Sequence, residues 1–138
     1  MAHPLEATIR EAYAAFGRGD VDGYLRPCKQ NFNFNIPGRG AIAGSWRGKE
    51  GLYELARMAM QVTGGSFREE VEDVLANDDH AVVLARHQFM RDGQSKEYRT
   101  AHVYEIHDGQ LVQCWEQPQD PLAFDEAWGI DQARSSKP

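Results

Sequence analysis

Two histidines, His87 and His102, are the side chains of this sequence best suited to proton transfer, because an unperturbed imidazole has a pKa of about 6.5. His102 could act as a general base, a general acid or an oxyanion donor, or it could be a core histidine stacked on Trp115. His87 is interpreted as a wall residue of the same surface. No third ligand shares their face at a suitable spacing, so we expect no metal site and no cofactor.

Two Asp-Gly dipeptides, at 92–93 and 108–109, predict two-residue hairpin turns that fix which strand residues face one another. The resulting cross-strand pairs are His87 with Tyr98, Val83 with His102, His102 with Trp115, Tyr104 with Gln113 and Ile106 with Leu111. One face of the sheet then mixes aromatic, small and polar side chains, namely Val83, Ala85, His87, Phe89, Thr100, His102, Tyr104, Trp115 and Gln117. Such a surface is typical of a small-molecule pocket.

The catalytic candidates are His102 and two tyrosines, Tyr13 and Tyr104. Each tyrosine could be a core aromatic whose hydroxyl finds a partner, or a donor to an oxygen of a bound molecule. The residues predicted to contact substrate are Phe34, His87, Phe89, Trp115 and Gln117. The expected partner is a small hydrophobic molecule.

The N-terminal half is predicted to be mainly helical. Apolar residues recur at three- and four-residue steps over 5–16 and again over 49–63, which indicates two helices that each bury one face. Asp20 is a suitable N-cap for a short helix between them. Residues 31–36 alternate polar and apolar side chains, which predicts a strand with Phe32, Phe34 and Ile36 on its apolar face. The Gly-rich segment 38–48 is predicted to be a loop.

The C-terminal half is predicted to be an antiparallel meander. Extended runs cover 67–76, 81–90, 96–107 and 111–117, and a short helix over 121–128 follows Asp120. We therefore predict one α+β domain, in which N-terminal helices cover a curved antiparallel sheet that forms a cone-shaped barrel around a pocket. The single domain spans 1–138, with a core at about 4–128 and a frayed tail at 131–138.

The composition of the 138 residues is that of a folded globular chain, with 41% hydrophobic and 26% charged residues. A formal net charge of -6 disfavours nucleic acid and anionic membranes as partners. No signal peptide or membrane-spanning run is recognisable. Two cysteines, Cys28 and Cys114, outside any CxxC motif favour a cytoplasmic protein without disulfides.

The opposite face of the meander is too apolar to be fully solvated. It is predicted to carry Ala101, Val103, Glu105, Val112, Cys114 and Glu116. We expect a second copy of the chain to cover this outer face in a two-fold homodimer.

Several segments resemble those of a known family. They are Gly19-Asp20, Pro37-Gly38-Arg39, the segment 46–51 (Trp-Arg-Gly-Lys-Glu-Gly), the segment 102–106 (His-Val-Tyr-Glu-Ile), the segment 108–111 (Asp-Gly-Gln-Leu) and Cys114-Trp115-Glu116. With the order of elements, they resemble the nuclear transport factor 2-like superfamily, in its SnoaL-like polyketide cyclase and ketosteroid-isomerase-related branch. The resemblance covers residues 4–128.

The resemblance implies an enzyme of isomerase or cyclase type that acts on an apolar, carbonyl-bearing substrate, or a non-catalytic binder of small hydrophobic ligands on the same fold. It places His102 where the isomerase has a carboxylic acid that donates to the enolate oxygen, and it places Tyr13 near the helix tyrosine of the oxyanion hole. Ile36 occupies the position of the isomerase's general base, an Asp, so that residue cannot move a proton here. The base is therefore not identified from the sequence.

Overall fold

The computed structural model describes residues 2–130, which form four helices and six strands. The helices are α1 (Pro4–Gly17), α2 (Val21–Leu25), α3 (Gly48–Thr63) and α4 (Pro121–Trp128). The strands are β1 (Cys28–Ile36), β2 (Gly44–Arg47), β3 (Arg68–Ala76), β4 (His80–Arg91), β5 (Gln94–His107) and β6 (Gln110–Pro118). The predicted α+β class is confirmed, and the predicted fraying of 131–138 lies outside the described residues.

All six strands belong to one curved sheet in the order β2-β1-β6-β5-β4-β3. The pairing of β1 with β6 is parallel and the other pairings are antiparallel, so the sheet departs in one place from the predicted antiparallel arrangement. Within the described residues the sheet is not closed, because β2 and β3 form its two edges. The helices pack on its concave face and bury the core there.

The helix ends agree with the capping residues of the sequence. The side chain of Asp20 accepts a hydrogen bond from the backbone N–H of Gly23 at 2.9 Å, and that of Asp120 accepts from Leu122 at 3.1 Å. Gly64 ends α3 in the left-handed conformation, with φ of 60°. None of the described helices combines the length and the apolar character that crossing a membrane requires.

The segment 38–48 is not entirely a loop, because β2 pairs with β1 there. Trp46 lies opposite Phe34, and Gly44 lies opposite Ile36. The glycines of this segment hid the strand, since Gly in a run weakens the strand signal. Gly44 itself has φ of 136°, a value that side-chain-bearing residues rarely adopt.

The hairpin between β4 and β5 has the predicted register. Asp92 and Gly93 both have positive φ, 52° and 76°, as a two-residue type I′ turn requires. His87 therefore pairs with Tyr98, and Val83 pairs with His102.

The predicted register between β5 and β6 is wrong beyond the first pairs. Ile106 pairs with Leu111 as expected, but the next pair is Glu105 with Gln113, which leaves Val112 as an extra residue in β6. One extra residue moves all later side chains of a strand to the opposite face. His102 consequently pairs with Glu116 rather than with Trp115, and Tyr104 pairs with Cys114 rather than with Gln113.

Candidate functional site

A cavity of about 60 Å³ lies between the helices and the concave face of the sheet. Most of its wall is apolar, formed by Phe16, Phe34, Ile36, Ile42, Leu52, Leu55, Ala59, Phe67 and Trp128. Its polar side chains are Tyr13, Tyr24, Glu69, His87, Tyr98, His102 and Glu116. A single water molecule needs about 10–15 Å³ of cavity volume, so the space holds a small ligand fragment or about four waters.

His102 and Glu116 form a buried pair on β5 and β6. The two residues are direct cross-strand partners, and both side chains are less than 5% exposed. His102 Nε2 lies 3.0 Å from Glu116 Oε2, although the N–H direction is too oblique for a hydrogen bond. Thr100 holds the carboxylate in place, because its hydroxyl donates to Glu116 Oε2 at 2.5 Å.

The other nitrogen of His102 begins a chain of tyrosine hydroxyls. Nδ1 lies 2.6 Å from the hydroxyl of Tyr13, which lies 2.6 Å from that of Tyr104. The Tyr104 hydroxyl continues to that of Tyr24 at 2.7 Å. Helix α1, strand β5 and helix α2 thus each supply one hydroxyl, and the protonation of Nδ1 decides in which direction these hydroxyls donate.

A second carboxylate–imidazole pair lies on β3 and β4. Glu69 and His87 are cross-strand partners, and Glu69 Oε2 lies 2.5 Å from His87 Nε2. His87 Nδ1 lies 2.8 Å from the hydroxyl of Tyr98, which also accepts a hydrogen bond from Trp128 Nε1 at 2.7 Å. Both histidines therefore have a tyrosine at Nδ1 and a carboxylate near Nε2.

The two imidazoles converge although their backbones are four residues apart along the β4–β5 ladder. Their ring centroids are 5.5 Å apart. The pair between them on the ladder, Ala85 with Thr100, consists of small residues. Small side chains at this position leave room for both rings to lean toward the same space.

The pKa values of His102 and Glu116 move in opposite directions. Burial is the largest single influence and would lower the pKa of His102, but the charge of Glu116, its contact with the ring and the charge of Glu69 together raise the pKa above the ordinary 6.5. Burial is also the largest single influence on Glu116 and would raise its pKa, but His102, His87 and the Thr100 hydroxyl together lower the pKa below the ordinary 4.5. The pair therefore favours an imidazolium facing a carboxylate.

The tyrosines of the site remain neutral donors. Burial raises the pKa of Tyr13, Tyr24 and Tyr104 well above the ordinary 10.0. A phenol that holds its proton can donate to a developing negative charge but cannot itself serve as a base near neutral pH.

Several predicted site residues do meet at the cavity. Tyr13, Phe34, His87 and His102 line it. Tyr104 is fully buried behind Tyr13 and reaches the cavity only through the hydroxyl chain. Phe89 is a packing residue outside the wall, and its ring lies 4.4 Å from that of Trp128.

The predicted placement of Trp115 and Gln117 is wrong. The extra residue Val112 turns both side chains to the outer face, where Trp115 is half-buried and Gln117 is exposed. The same shift brings Cys114 and Glu116, which were predicted on the outer face, to the inner one. A bulge inside an apolar run leaves no local sequence signal, so the register rule alone could not have found it.

Glu69 was also missed, and its position corrects the expectation that the histidines lack a third ligand. One donor atom each from Glu69, His87 and His102 lies within 4.8 Å of the others. Glu69 was not recognised from the sequence because it belongs to a mostly acidic run, Glu69 to Asp73. Such a run is typical of a solvated face. A second bulge, between Val71 and Asp73, also shifts this strand.

A surface groove of about 700 Å³ adjoins the cavity beside Glu69. The groove and the cavity share Phe16, Ala59, Phe67 and Glu69 in their walls. The groove lies between the end of α1, the helix α3 and the start of β3. Phe16, Ala59, Phe67 and Glu69 therefore separate the groove from the cavity.

Comparisons with known proteins agree with this architecture. The model of the SnoaL-like domain family matches residues 9–114. The chain is similar to Bal32a from a soil-derived mobile gene cassette, with 30% identity, a TM-score of 0.82, and coverage of 89% of this chain and 95% of that chain.

Two further solved structures share the fold at lower identity. One is an NTF2-like protein of unknown function from Burkholderia pseudomallei K96243, with a TM-score of 0.78, 20% identity, and coverage of 88% of this chain and 95% of that chain. The other is a candidate SnoaL-like polyketide cyclase from Jannaschia sp. CCS1, with a TM-score of 0.71, 18% identity, and coverage of 100% of this chain and 99% of that chain. These similarities show the NTF2-like fold.

Proposed function

This chain belongs to the SnoaL-like domain family, and we propose that its cavity is the active site of an isomerase or cyclase that acts on an apolar, carbonyl-bearing small molecule. The observation that carries the proposal is the position of His102 between Tyr13 and Glu116 inside an apolar cavity. A buried imidazole with a raised pKa is suited to donate a proton or a strong hydrogen bond.

In the proposed reaction His102 is the acid. Its Nε2–H, which has no well-aligned partner among the described residues, donates to the carbonyl oxygen of the substrate. Glu116 keeps the imidazole charged before that step. The imidazolium stabilises the negative charge that develops on the oxygen, and its interaction is stronger because the surrounding wall is mostly apolar.

The proposed base is the pair of Glu69 and His87. It takes the role of the Asp that the isomerase has at the position of Ile36. The pair of Glu69 and His87 presents a carboxylate near the imidazolium of His102, with the two rings 5.5 Å apart. In an enolisation the bond between the α-carbon and its hydrogen breaks, the proton passes to this pair, and the electron pair moves to the oxygen that His102 binds. Return of the proton to another carbon completes an isomerisation.

The tyrosine chain supports the acid form of His102. When Nδ1 carries a hydrogen, it donates to Tyr13, Tyr13 donates to Tyr104, and Tyr104 donates to Tyr24. The hydroxyl hydrogen of Tyr24, which lines the cavity, is then available to a bound oxygen. Protonation of the histidine thus prepares a second donor in the same space.

Exchange of carbon-bound hydrogen tests this proposal without knowledge of the natural substrate. Apolar ketones such as β-tetralone, together with ketosteroids and polyketide-like ketones, are incubated in D₂O, and deuterium at the α-carbon is followed by NMR and mass spectrometry. We expect the wild-type chain to accelerate exchange of at least one ketone, and His102→Gln to abolish the acceleration. The control is His107→Gln, which removes an exposed histidine that also lies 2.9 Å from a glutamate, Glu105.

A non-catalytic binder is the second candidate, favoured by the apolar Ile36 at the expected base position. A binder would retain an apolar ligand without exchanging its hydrogens. Binding of the ketones without exchange, or equal exchange by wild type and His102→Gln, would reject the acid–base role of His102.

A further inference from the structure

We propose that Glu69, His87 and His102 form a binding site for a divalent transition-metal ion such as Zn²⁺. Two imidazole nitrogens and one carboxylate oxygen are a common ligand set for zinc sites that keep a position open. The three donor atoms come from the neighbouring strands β3, β4 and β5 and lie within 4.8 Å of one another. The inference concerns a ligand of the cavity and does not depend on the proposed reaction.

The two histidines are oriented as metal ligands usually are. A ligating imidazole commonly uses its second nitrogen to hydrogen-bond a polar group that fixes the ring. Here Tyr13 occupies Nδ1 of His102 and Tyr98 occupies Nδ1 of His87. Each Nε2 is therefore left to face the carboxylates and the other ring.

His102 Nε2 is the donor atom whose geometry most favours a bound ion. It is buried and has no hydrogen-bonding partner of acceptable angle among residues 2–130, although a carboxylate oxygen lies 3.0 Å away. Most buried polar nitrogens have a well-aligned partner, whereas the Nε2 bond direction here is not aligned with the Glu116 carboxylate that pairs with the ring. An ion beside Nε2 would satisfy the nitrogen and face the negative charge of Glu116.

The charge of the cavity suits a divalent cation. Glu69 and Glu116 place two carboxylates beside the imidazole nitrogens in a largely apolar space. A divalent ion bound to neutral imidazoles would balance the charge of two carboxylates.

The geometry requires the three side chains to rearrange around the ion. Ligands about 2.0–2.1 Å from a tetrahedral ion lie roughly 3.3 Å apart, so the most distant pair of donors must approach by side-chain rotation. Glu69 Oε2 and His87 Nε2 must separate, and the proton of the hydrogen bond between them must leave before both atoms can bind the ion. The cavity leaves room for a fourth ligand, either water or an oxygen of a bound molecule.

The ion and the acidic proton of His102 would occupy the same nitrogen, so the metal-bound and protonated cavities are alternative states. Zn²⁺ is therefore expected to inhibit any reaction that needs His102 as an acid. Metal affinity is measured without substrate, which makes a failure of this inference distinguishable from a failure of the proposed reaction.

The test uses the full chain after treatment with EDTA and removal of the chelator. Zn²⁺ binding is measured by titration calorimetry and by the metal content after dialysis, and Co²⁺ is added separately to record its visible absorption. We expect one ion per chain and a Co²⁺ spectrum of four- or five-coordinate type. Glu69→Gln should weaken Zn²⁺ binding by at least about 100-fold, more than loss of an outer-shell partner does.

Two further variants show whether Zn²⁺ binds in the cavity or at the protein surface. Tyr98→Phe removes the hydroxyl that contacts His87 Nδ1 and Trp128 Nε1 but leaves all three ligands, and it should weaken binding by about tenfold. His107→Gln, at the exposed histidine–glutamate pair, should bind as the wild type does. Absence of a stoichiometric ion, or wild-type affinity in Glu69→Gln, would overturn the proposal, and circular dichroism of each variant shows whether it is folded.

Discussion

Glu116 lies directly opposite His102 across β5 and β6, with its Oε2 atom 3.0 Å from the Nε2 atom of the imidazole, and both side chains are nearly inaccessible to solvent. Two opposite charges in a buried site stabilise each other strongly, whereas either one alone would be unfavourable there. This pair explains why His102 can be charged inside an apolar wall.

The pair makes stability depend on pH. Because the folded-state pKa of His102 is raised, its contribution is complete below the ordinary 6.5 and is lost as the pH rises through the folded value. Because the pKa of Glu116 is lowered, its contribution is present above the ordinary 4.5 and is lost as the pH falls through the folded value. Both contributions are therefore present together between pH 4.5 and 6.5.

We predict that Glu116→Gln destabilises the chain by about 3 kcal/mol near pH 6, because it leaves a buried imidazolium unpaired. The loss should shrink at pH 9, where the imidazole is neutral in the variant and less charged in the wild type. Urea unfolding in EDTA measures both values. Glu105→Gln, in the surface pair with His107, should change stability by less than about 1 kcal/mol. An equal loss at both pH values would contradict the ion pair.

We predict that Tyr13→Phe costs about 1–3 kcal/mol of stability, because it leaves His102 Nδ1 and the Tyr104 hydroxyl without their shared partner. The substitution removes one oxygen and preserves the ring packing. Tyr53→Phe is the matched control, since Tyr53 is 40% exposed and should change stability by less than about 0.5 kcal/mol. Similar unfolding midpoints for the two variants would show that the hydroxyl chain contributes little.

The fold could be predicted from the sequence where its local signals were complete. Residues 5–16 and 49–63 show helical periodicity over several turns, and the turn at 92–93 joins two strands without a bulge, so the β4–β5 register followed from it. The parallel pairing of β1 with β6 could not be predicted, because it joins segments about 80 residues apart with no turn between them.

The candidate site was predicted only in part, because its residues depend on strand registers that local turns do not fully determine. His87 and His102 were placed together because their strands keep a simple ladder. Glu116 and Trp115 exchanged faces because a single inserted residue reverses the alternation of a strand. Glu116 was missed for this reason, and Glu69 was missed because its acidic run resembles a solvated face, although both carboxylates contribute to the charge of the cavity.

We predict that both thiols are unreactive in the folded chain. Burial raises the pKa of Cys28 to about 12 and that of Cys114 well above its ordinary 9.0. At pH 8 about one Cys28 in ten thousand would be a thiolate, and the thiolate is the reactive form. Iodoacetamide labelling, followed by mass spectrometry, should be slow in the native protein and fast in guanidinium chloride. Labelling at similar rates would contradict the burial of these cysteines.

The homodimer stays a prediction, and the outer face offers a way to test it. Leu75 and Leu84 are 50% and 40% exposed, and Trp115 adds a half-buried aromatic ring to the outer face. We expect sedimentation velocity to show a dimer that Leu84→Glu dissociates by placing a charge in its apolar contact. Thr8→Glu, on α1 away from this face, is the control. A monomeric wild-type chain would reject the prediction.

The extra residue in β6 is predicted to be essential for the site. Deleting Val112 would restore simple alternation from His107 to Pro118, which would move Glu116 to the outer face and force the indole of Trp115 against the core. Because this replaces a buried ion pair by a large misplaced ring, we expect a loss of more than about 3 kcal/mol in urea unfolding. Val112→Ala keeps the number of residues and should cost much less, since Val112 is only half-buried. If the deletion and the substitution were equally mild, the bulge would not be what holds Glu116 beside His102.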